Sequence, residues 1–287
     1  MEEAGKGSDE WKTMSARTDS HRDLFTHRSS LITAFPLVTH HSTLSTSMRL
    51  KVLGTGTGTP SLSRLSSSYL LTTSWGTILV DIGPSVVRRL LELGYTIHDI
   101  DLIIITHFHP DHTADLATFL FAAGYGEPRR EKPLMILGGR GIRSFYRRLV
   151  RLYRWVSPAG YDLKLTALGK KRLQLGTVSI KASRMDHNPE SIAVRIEDGK
   201  SVVFTGDTDY SPDVVKLSSR AHLLVTECSF PDRKVKGHLD LPTLERIVNE
   251  ARPEKVILSH LFPEWEAFRG VLHAPLLLGV DGMELEI

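Results

Sequence analysis

The segment Thr106-His107-Phe108-His109-Pro110-Asp111-His112 places three imidazoles and a carboxylate within six positions, directly after the apolar run Leu102 to Ile105. Such a run reads as a buried strand, and a strand sends alternate residues to one side, so His107 and His109 point together. The turn at Pro110 lets Asp111 and His112 face back toward them. Nitrogen and oxygen donors in this combination suit zinc, manganese or iron. The alternative, a histidine-rich surface loop, loses ground because further donors follow similar runs downstream.

Three such donors stand out. His187 follows the alternating stretch Val178-Ser179-Ile180-Lys181-Ala182, Asp207 lies in Thr205-Gly206-Asp207-Thr208 after Ser201 to Phe204, and His260 closes Lys255-Val256-Ile257-Leu258-Ser259. Each sits at the C-terminal end of a predicted strand, where function-bearing loops gather in layered α/β folds. Alone, Asp207 would be an ordinary turn aspartate and either histidine a structural one. Their joint order argues for a site.

The pattern H-x-H-x-D-H, a later His, the Asp of T-G-D-T and a final strand-end His resembles the metallo-β-lactamase superfamily. Within it, the chain is most similar to the ribonuclease Z-like phosphodiesterases. The likeness runs from about Met48 to the C-terminus. It includes Leu53-Gly54-Thr55-Gly56-Thr57-Gly58-Thr59-Pro60, Leu79-Val80-Asp81-Ile82-Gly83, Leu224-Val225-Thr226-Glu227-Cys228, Gly237-His238-Leu239 and Asp281-Gly282-Met283-Glu284. The resemblance implies a four-layer αββα sandwich holding two divalent metal ions, zinc first, with manganese or iron accepted by the same donors. It assigns His107, His109 and His187 to one metal, Asp111, His112 and His260 to the other, and Asp207 to both. Two metals about 3.5–4 Å apart lower the pKa of a shared water and clamp both oxygens of an in-line displacement.

The resemblance also implies catalytic roles for Asp111, His238 and Glu227. His238 would act on the phosphate and leaving group, and Glu227 would orient it. An imidazole with an ordinary pKa of about 6.5 can protonate a departing alkoxide near neutral pH. Asp81 is a candidate acceptor for the far nitrogen of a ligand imidazole. Asp207, where the zinc β-lactamases carry Cys, leans away from those enzymes; His109, where flavodiiron oxidoreductases carry Glu, leans away from iron redox chemistry. Only 19 residues separate His187 from Asp207, so the long Gly/Pro-rich arm of the bacterial transfer-RNA-processing enzymes is missing. The expected substrate is RNA or a small linear or cyclic phosphodiester. A carboxylic ester, lactone or thioester hydrolase is the alternative within enzymes, and a non-catalytic nucleic-acid-binding module the alternative outside them.

The elements that must position these groups follow from periodicity. Strands are predicted at Arg49 to Leu53, Ser68 to Thr73, Gly76 to Asp81, Leu102 to Thr106, Leu134 to Leu137, Gln174 to Arg184, Ser191 to Glu197, Ser201 to Phe204, Leu223 to Thr226 and Lys255 to Leu258. Helices are predicted at Ser85 to Leu93, Ala114 to Ala123 (stopped by Gly124) and Leu241 to Ala251. Between Arg140 and Val156 no acidic residue occurs, and helical spacing puts Arg140, Arg143, Arg147, Arg151 and Arg154 on one stripe. Ile142, Phe145, Leu149, Leu152, Tyr153 and Val156 fall on the opposite one. The stripe reads either as a solvated face or as a contact for phosphate groups. The alternating Thr and Gly of Thr55 to Thr59 can bring backbone N–H groups close to an anion, but match no P-loop.

Composition sets the frame. The chain of 287 residues, 41% hydrophobic, can bury the core of one large α/β domain, expected over 48–287. A formal charge of +3 does not by itself argue nucleic-acid binding. The single Cys228 excludes an internal disulfide and fits a reducing, cytoplasmic setting; it reads as a structural thiol. Residues 1–47, rich in Ser, Thr and His, are expected to be a disordered extension without a signal peptide. Met48 directly precedes the first strand and is an alternative start. No apolar run is long enough to span a bilayer. A homodimer would fit the resemblance, although no apolar stripe demands it.

Overall fold

A computed structural model describes residues 47–169 and 172–287, so the expectation of disorder before residue 47 lies outside the described residues. The chain lays down β1 (Arg49–Gly54), β2 (Ser68–Thr72), β3 (Thr77–Val80), α1 (Val86–Glu92) and β4 (Leu102–Ile105). Next come α2 (Pro110–Thr113), α3 (Leu116–Tyr125), β5 (Leu134–Gly138), α4 (Ile142–Leu152) and β6 (Leu163–Ala167). The second half contains β7 (Leu173–Leu175), β8 (Val178–Arg184), β9 (Ile192–Asp198), β10 (Lys200–Phe204) and α5 (Pro212–Ser218). It closes with β11 (Leu223–Glu227), α6 (Leu241–Ala251), β12 (Val256–Ser259), β13 (Leu276–Leu278) and β14 (Glu284–Glu286).

These strands form two seven-stranded sheets, ordered β14-β1-β2-β3-β4-β5-β6 and β13-β12-β11-β10-β9-β8-β7. Each sheet is mixed: β3 to β6 run parallel in the first and β10 to β13 in the second, with antiparallel strands at the other side. Apolar side chains divide among three layers. Leu102 and Ile104 of β4 meet Ile180, Val194 and Val202 between the sheets. Ile103 and Ile105 face outward under α1 and α3. Val203 and Leu224 face α5 and α6 on the far side. The result is the expected αββα sandwich. A strand covered on both faces has no polar position to spare, which is why β4 reads as an unbroken apolar run. Each such buried side chain contributes about 1.5–3 kcal/mol.

Several expectations need correction. Gly124 does not stop α3; the helix continues to Tyr125, and Gly124 packs against Ala159 of a neighbouring loop. The predicted strand Gln174 to Arg184 is a hairpin, β7 and β8, turning at Gly176 with φ +58°. The helix expected from Arg140 to Val156 is α4 alone, entered through Gly141 and ended at Tyr153, where φ −124° and ψ 92° leave the helical region. Arg154–Val156 is a separate 3-10 turn, so Arg140 and Arg154 flank the helix and do not share its stripe. Leu152 and Tyr153, placed on the apolar stripe by helical spacing, are 70% and 50% exposed. Strands β6, β13 and β14 carry no clear periodic signal, being short and partly exposed.

Candidate metal centre

Every donor singled out from the sequence lies just beyond a strand, at the rim where the parallel strands of both sheets end. From the first sheet come Asp81 after β3 and His107 to His112 after β4. From the second come His187 after β8, Asp207 after β10, Glu227 at the end of β11 and His260 after β12. Two of these residues leave their strands in the left-handed region, Asp81 at φ 59° and His260 at φ 52°. Non-glycine residues hold that conformation only where surrounding contacts impose it.

The side chains converge. Donor atoms of His107, His109, His187 and Asp207 lie within 4.8 Å of one another, as do those of Asp111, His112 and His260. Asp207 stands between the groups. Its Oδ2 is 3.6 Å from His107 Nε2, 3.8 Å from His187 Nε2 and 3.3 Å from His260 Nε2, while Oδ1 is 3.5 Å from His112 Nε2. Asp111 Oδ2 lies 3.5 Å from His112 Nε2 and 3.4 Å from His260 Nε2. His107 Nε2, His112 Nε2, His260 Nε2 and Asp207 Oδ1 are buried without a hydrogen-bond partner. Buried lone pairs left unpaired in this way are costly. Gathered around two carboxylates, they form the donor set a divalent cation requires. The residues fit a metal.

The far nitrogens explain why those lone pairs face inward. His112 Nδ1 donates to Asp81 Oδ2 at 2.8 Å, and His187 Nδ1 donates to the carbonyl of Gly237 at 2.9 Å. His260 Nδ1 lies 3.1 Å from Ser229 Oγ, which donates to Glu227 Oε2 at 2.6 Å. His107 Nδ1 lies 3.2 Å from Thr106 Oγ1, which donates to Asp81. Each of these partners holds the Nδ1 side outward and leaves Nε2 facing the cluster. His109 is turned the other way, with Nδ1 3.4 Å from His187 Nε2 and Nε2 3.0 Å from the Asn188 amide. Asp81 therefore meets two imidazoles, His112 directly and His107 through Thr106. Thr106, Ser229 and Asn188 were not foreseen. Ser229 could have been found two residues past Glu227, the spacing that returns a side chain to the same strand face.

Glu227 is buried and its carboxylate is fully engaged. It accepts from Thr208 N at 2.6 Å, Leu239 N at 3.1 Å, Ser229 Oγ, and His238 Nδ1 at 3.2 Å. Burial works against a charge on His238, but the Glu227 hydrogen bond and charge outweigh it and raise the imidazole pKa. Burial opposes a proton on His112 too, yet Asp207 and Asp81 push it up to about 10. His107 goes the other way, down to about 2, through burial and the His112 charge. The carboxyl of Asp111, despite burial, is held at about 2 by His260 and His112.

The sequence profile of the metallo-beta-lactamase superfamily matches residues 63–260, from before the first cluster to His260. The chain belongs to the metallo-beta-lactamase superfamily. Among its relatives is a Bacillus subtilis protein named "Probable metallo-hydrolase YhfI", 30% identical over 222 residues that cover 75% of this chain and 87% of that protein. The crystal structure of YhfI superposes with a TM-score of 0.70 at 25% identity, covering 84% of this chain and 99% of YhfI. Ribonuclease Z of Thermococcus kodakarensis is 25% identical over 262 residues, covering 73% and 82%. The short form of human tRNase Z shares the fold, with a TM-score of 0.69 at 21% identity over 83% of this chain and 98% of that one.

This metallo-beta-lactamase-fold protein is thus a metallo-hydrolase with ribonuclease Z-like relatives and a His/Asp cluster built for divalent cations. Cys228 is buried beside the site and its thiol pKa is raised well above the ordinary value by burial, so it stays protonated and packs as a small apolar group. Helix α4 touches the metal loop through Phe108, stacked on Phe145 at 4.6 Å. Among the described residues, no helix is long and apolar enough to cross a membrane.

Proposed function

We propose that this metallo-hydrolase cleaves phosphodiesters. The observation that carries the reading is His238, hydrogen-bonded to a buried Glu227 at 3.2 Å and 3.9 Å from Asp207, at the edge of the donor cluster without belonging to the strand ends. An alkoxide leaving phosphorus needs such a proton donor, the role that the resemblance to the ribonuclease Z-like phosphodiesterases implies for this residue.

In this reading His107, His109 and His187 would hold one cation and Asp111, His112 and His260 the other, with Asp207 between the two groups and zinc the expected metal. Such a pair would supply Lewis acidity and lower the pKa of water near neutral pH. Asp111 and Asp207 offset part of the cationic charge. Asp81, Ser229, Thr106 and the Gly237 carbonyl fix the imidazole tautomers. Glu227 holds a proton on His238 Nδ1, leaving Nε2 to exchange a proton with the departing oxygen. Arg143, Arg147 and Arg151 on α4 are exposed and, among the described residues, pair with no carboxylate, which supports a contact for the backbone of a longer substrate.

The test is a metal-reconstituted preparation assayed in parallel on a precursor transfer RNA and a small aryl phosphodiester. Cleavage of the RNA at its 3′ end favours α4 as its contact surface. Turnover of the aryl diester alone selects a small or cyclic substrate. Failure on both rejects the phosphodiesterase reading and directs attention to esters, lactones and thioesters.

A further inference from the structure

The loop that carries His238 also touches His187, and both contacts depend on an ion pair outside the donor cluster. Lys234 Nζ donates to Asp209 Oδ1 at 2.5 Å and to the carbonyl of His238 at 2.7 Å. Asp209 Oδ2 accepts from Gly237 N at 3.3 Å, and the Gly237 carbonyl accepts from His187 Nδ1. Asp209 in turn donates its own N–H to the carbonyl of Asp186, the residue before His187, at 2.9 Å. Between Asp207 and Asp209, Thr208 N holds Glu227. Gly237 sits at φ +82°, and a Cβ there would stand 3.1 Å from His187 Nδ1, so the loop has no slack at that point.

We propose that Lys234 and Asp209 are positioning residues for the reaction: their ion pair clamps Gly237 and His238 so that one loop sets both the tautomer of His187 and the placement of His238. The inference rests on the phosphodiesterase reading for its kinetic part. The side chains of Lys234 and Asp209 are 44% and 20% exposed. A pair so open to solvent contributes little to folding. Its geometric effect is another matter, because a displacement of about 1 Å at a reacting group costs roughly 100-fold in rate. Lys234 touches none of the metal donors, so its removal separates positioning from metal loss.

The experiment uses the zinc-loaded full chain with Lys234→Met and Lys234→Arg, assayed on two diesters. One releases 4-nitrophenolate, which needs no proton to depart; the other is a dinucleoside monophosphate that releases an alkoxide. Zinc content and Tm are expected to match the parent protein. Lys234→Met should lose about tenfold more turnover on the dinucleoside than on the aryl diester, a fraction of what general acid catalysis supplies, and Lys234→Arg should recover most of it. Imidazole 15N spectra should show the His187 Nδ1–H signal shifted in Lys234→Met and restored in Lys234→Arg. Equal losses on both diesters, no loss on either, or unchanged imidazole spectra would overturn the clamp. If the parent protein cleaves neither diester, the phosphodiesterase reading fails, and the spectra alone decide whether Lys234 sets the His187 tautomer.

Discussion

His238 and His112 share a residue type, a raised pKa and a buried acidic partner, yet they face opposite tasks. His112 is closed in by Asp81 and Asp207, so its proton competes with a metal. His238 remains partly open and leans on Glu227. The sign follows: a raised pKa keeps His238 protonated as pH climbs past its ordinary value of about 6.5. Turnover that needs this proton therefore falls only above that pH. Replacing His238 by Ala should lower kcat about 10²- to 10⁴-fold with metal content unchanged. The alkaline limb should vanish from the pH profile of the variant. Loss of metal together with turnover would show that His238 is a ligand instead.

Strand ends decide where these residues stand, and Gly206 shows how tightly. It occupies φ +57°, with a would-be Cβ 2.7 Å from Thr106 Cβ, so the loop of one sheet presses on the loop of the other. A Gly206→Ala change costs about 1–2 kcal/mol from the backbone alone. It should lower Tm by roughly 2–8 °C, measured by calorimetry, and displace Thr106 from Asp81. An unchanged Tm would mean the loops are not in contact. At this scale the sequence was informative wherever burial is two-sided. The run Leu102 to Ile105 announced β4, and Asp207 and His260 also stood at the ends of apolar runs, while His187 followed the alternating stretch of β8. Edge strands gave no comparable signal, because β14 alternates polar with half-buried residues and is recruited only by pairing with β1. The end of α4 was invisible for a different reason: Leu152, Tyr153 and Trp155 continue the apolar pattern but protrude into solvent. Thr106 and Ser229 escaped notice since hydroxyls acquire a role only when a carboxylate from another strand comes to rest against them.

Across the whole molecule the donors divide between the sheets, with the His107 to His112 cluster on one and His187, Asp207 and His260 on the other. A cation held by both should therefore tie the halves of the sandwich together and stabilise it by about 2.7 kcal/mol at a free concentration of 100 times Kd. His112 gives the pH dependence. With its imidazole pKa at about 10 in the metal-free protein, loading expels a proton at neutral pH, so affinity rises with pH toward that value. His107, already neutral, adds no such competition. The gap in Tm between zinc-loaded and chelated protein should widen from pH 6 to pH 8; a constant or narrowing gap would contradict this assignment of protons. The division between sheets also bears on synthesis. A ribosome delivers the first cluster long before His260. A nascent chain consequently lacks a complete donor set until His260 has emerged, and on the proposed activity it would hydrolyse nothing before then. Stalled chains ending before Val256 should show no hydrolysis even with abundant zinc, whereas chains stalled with Ile287 clear of the exit tunnel should be active; hydrolysis by the shorter ones would mean that the first sheet suffices.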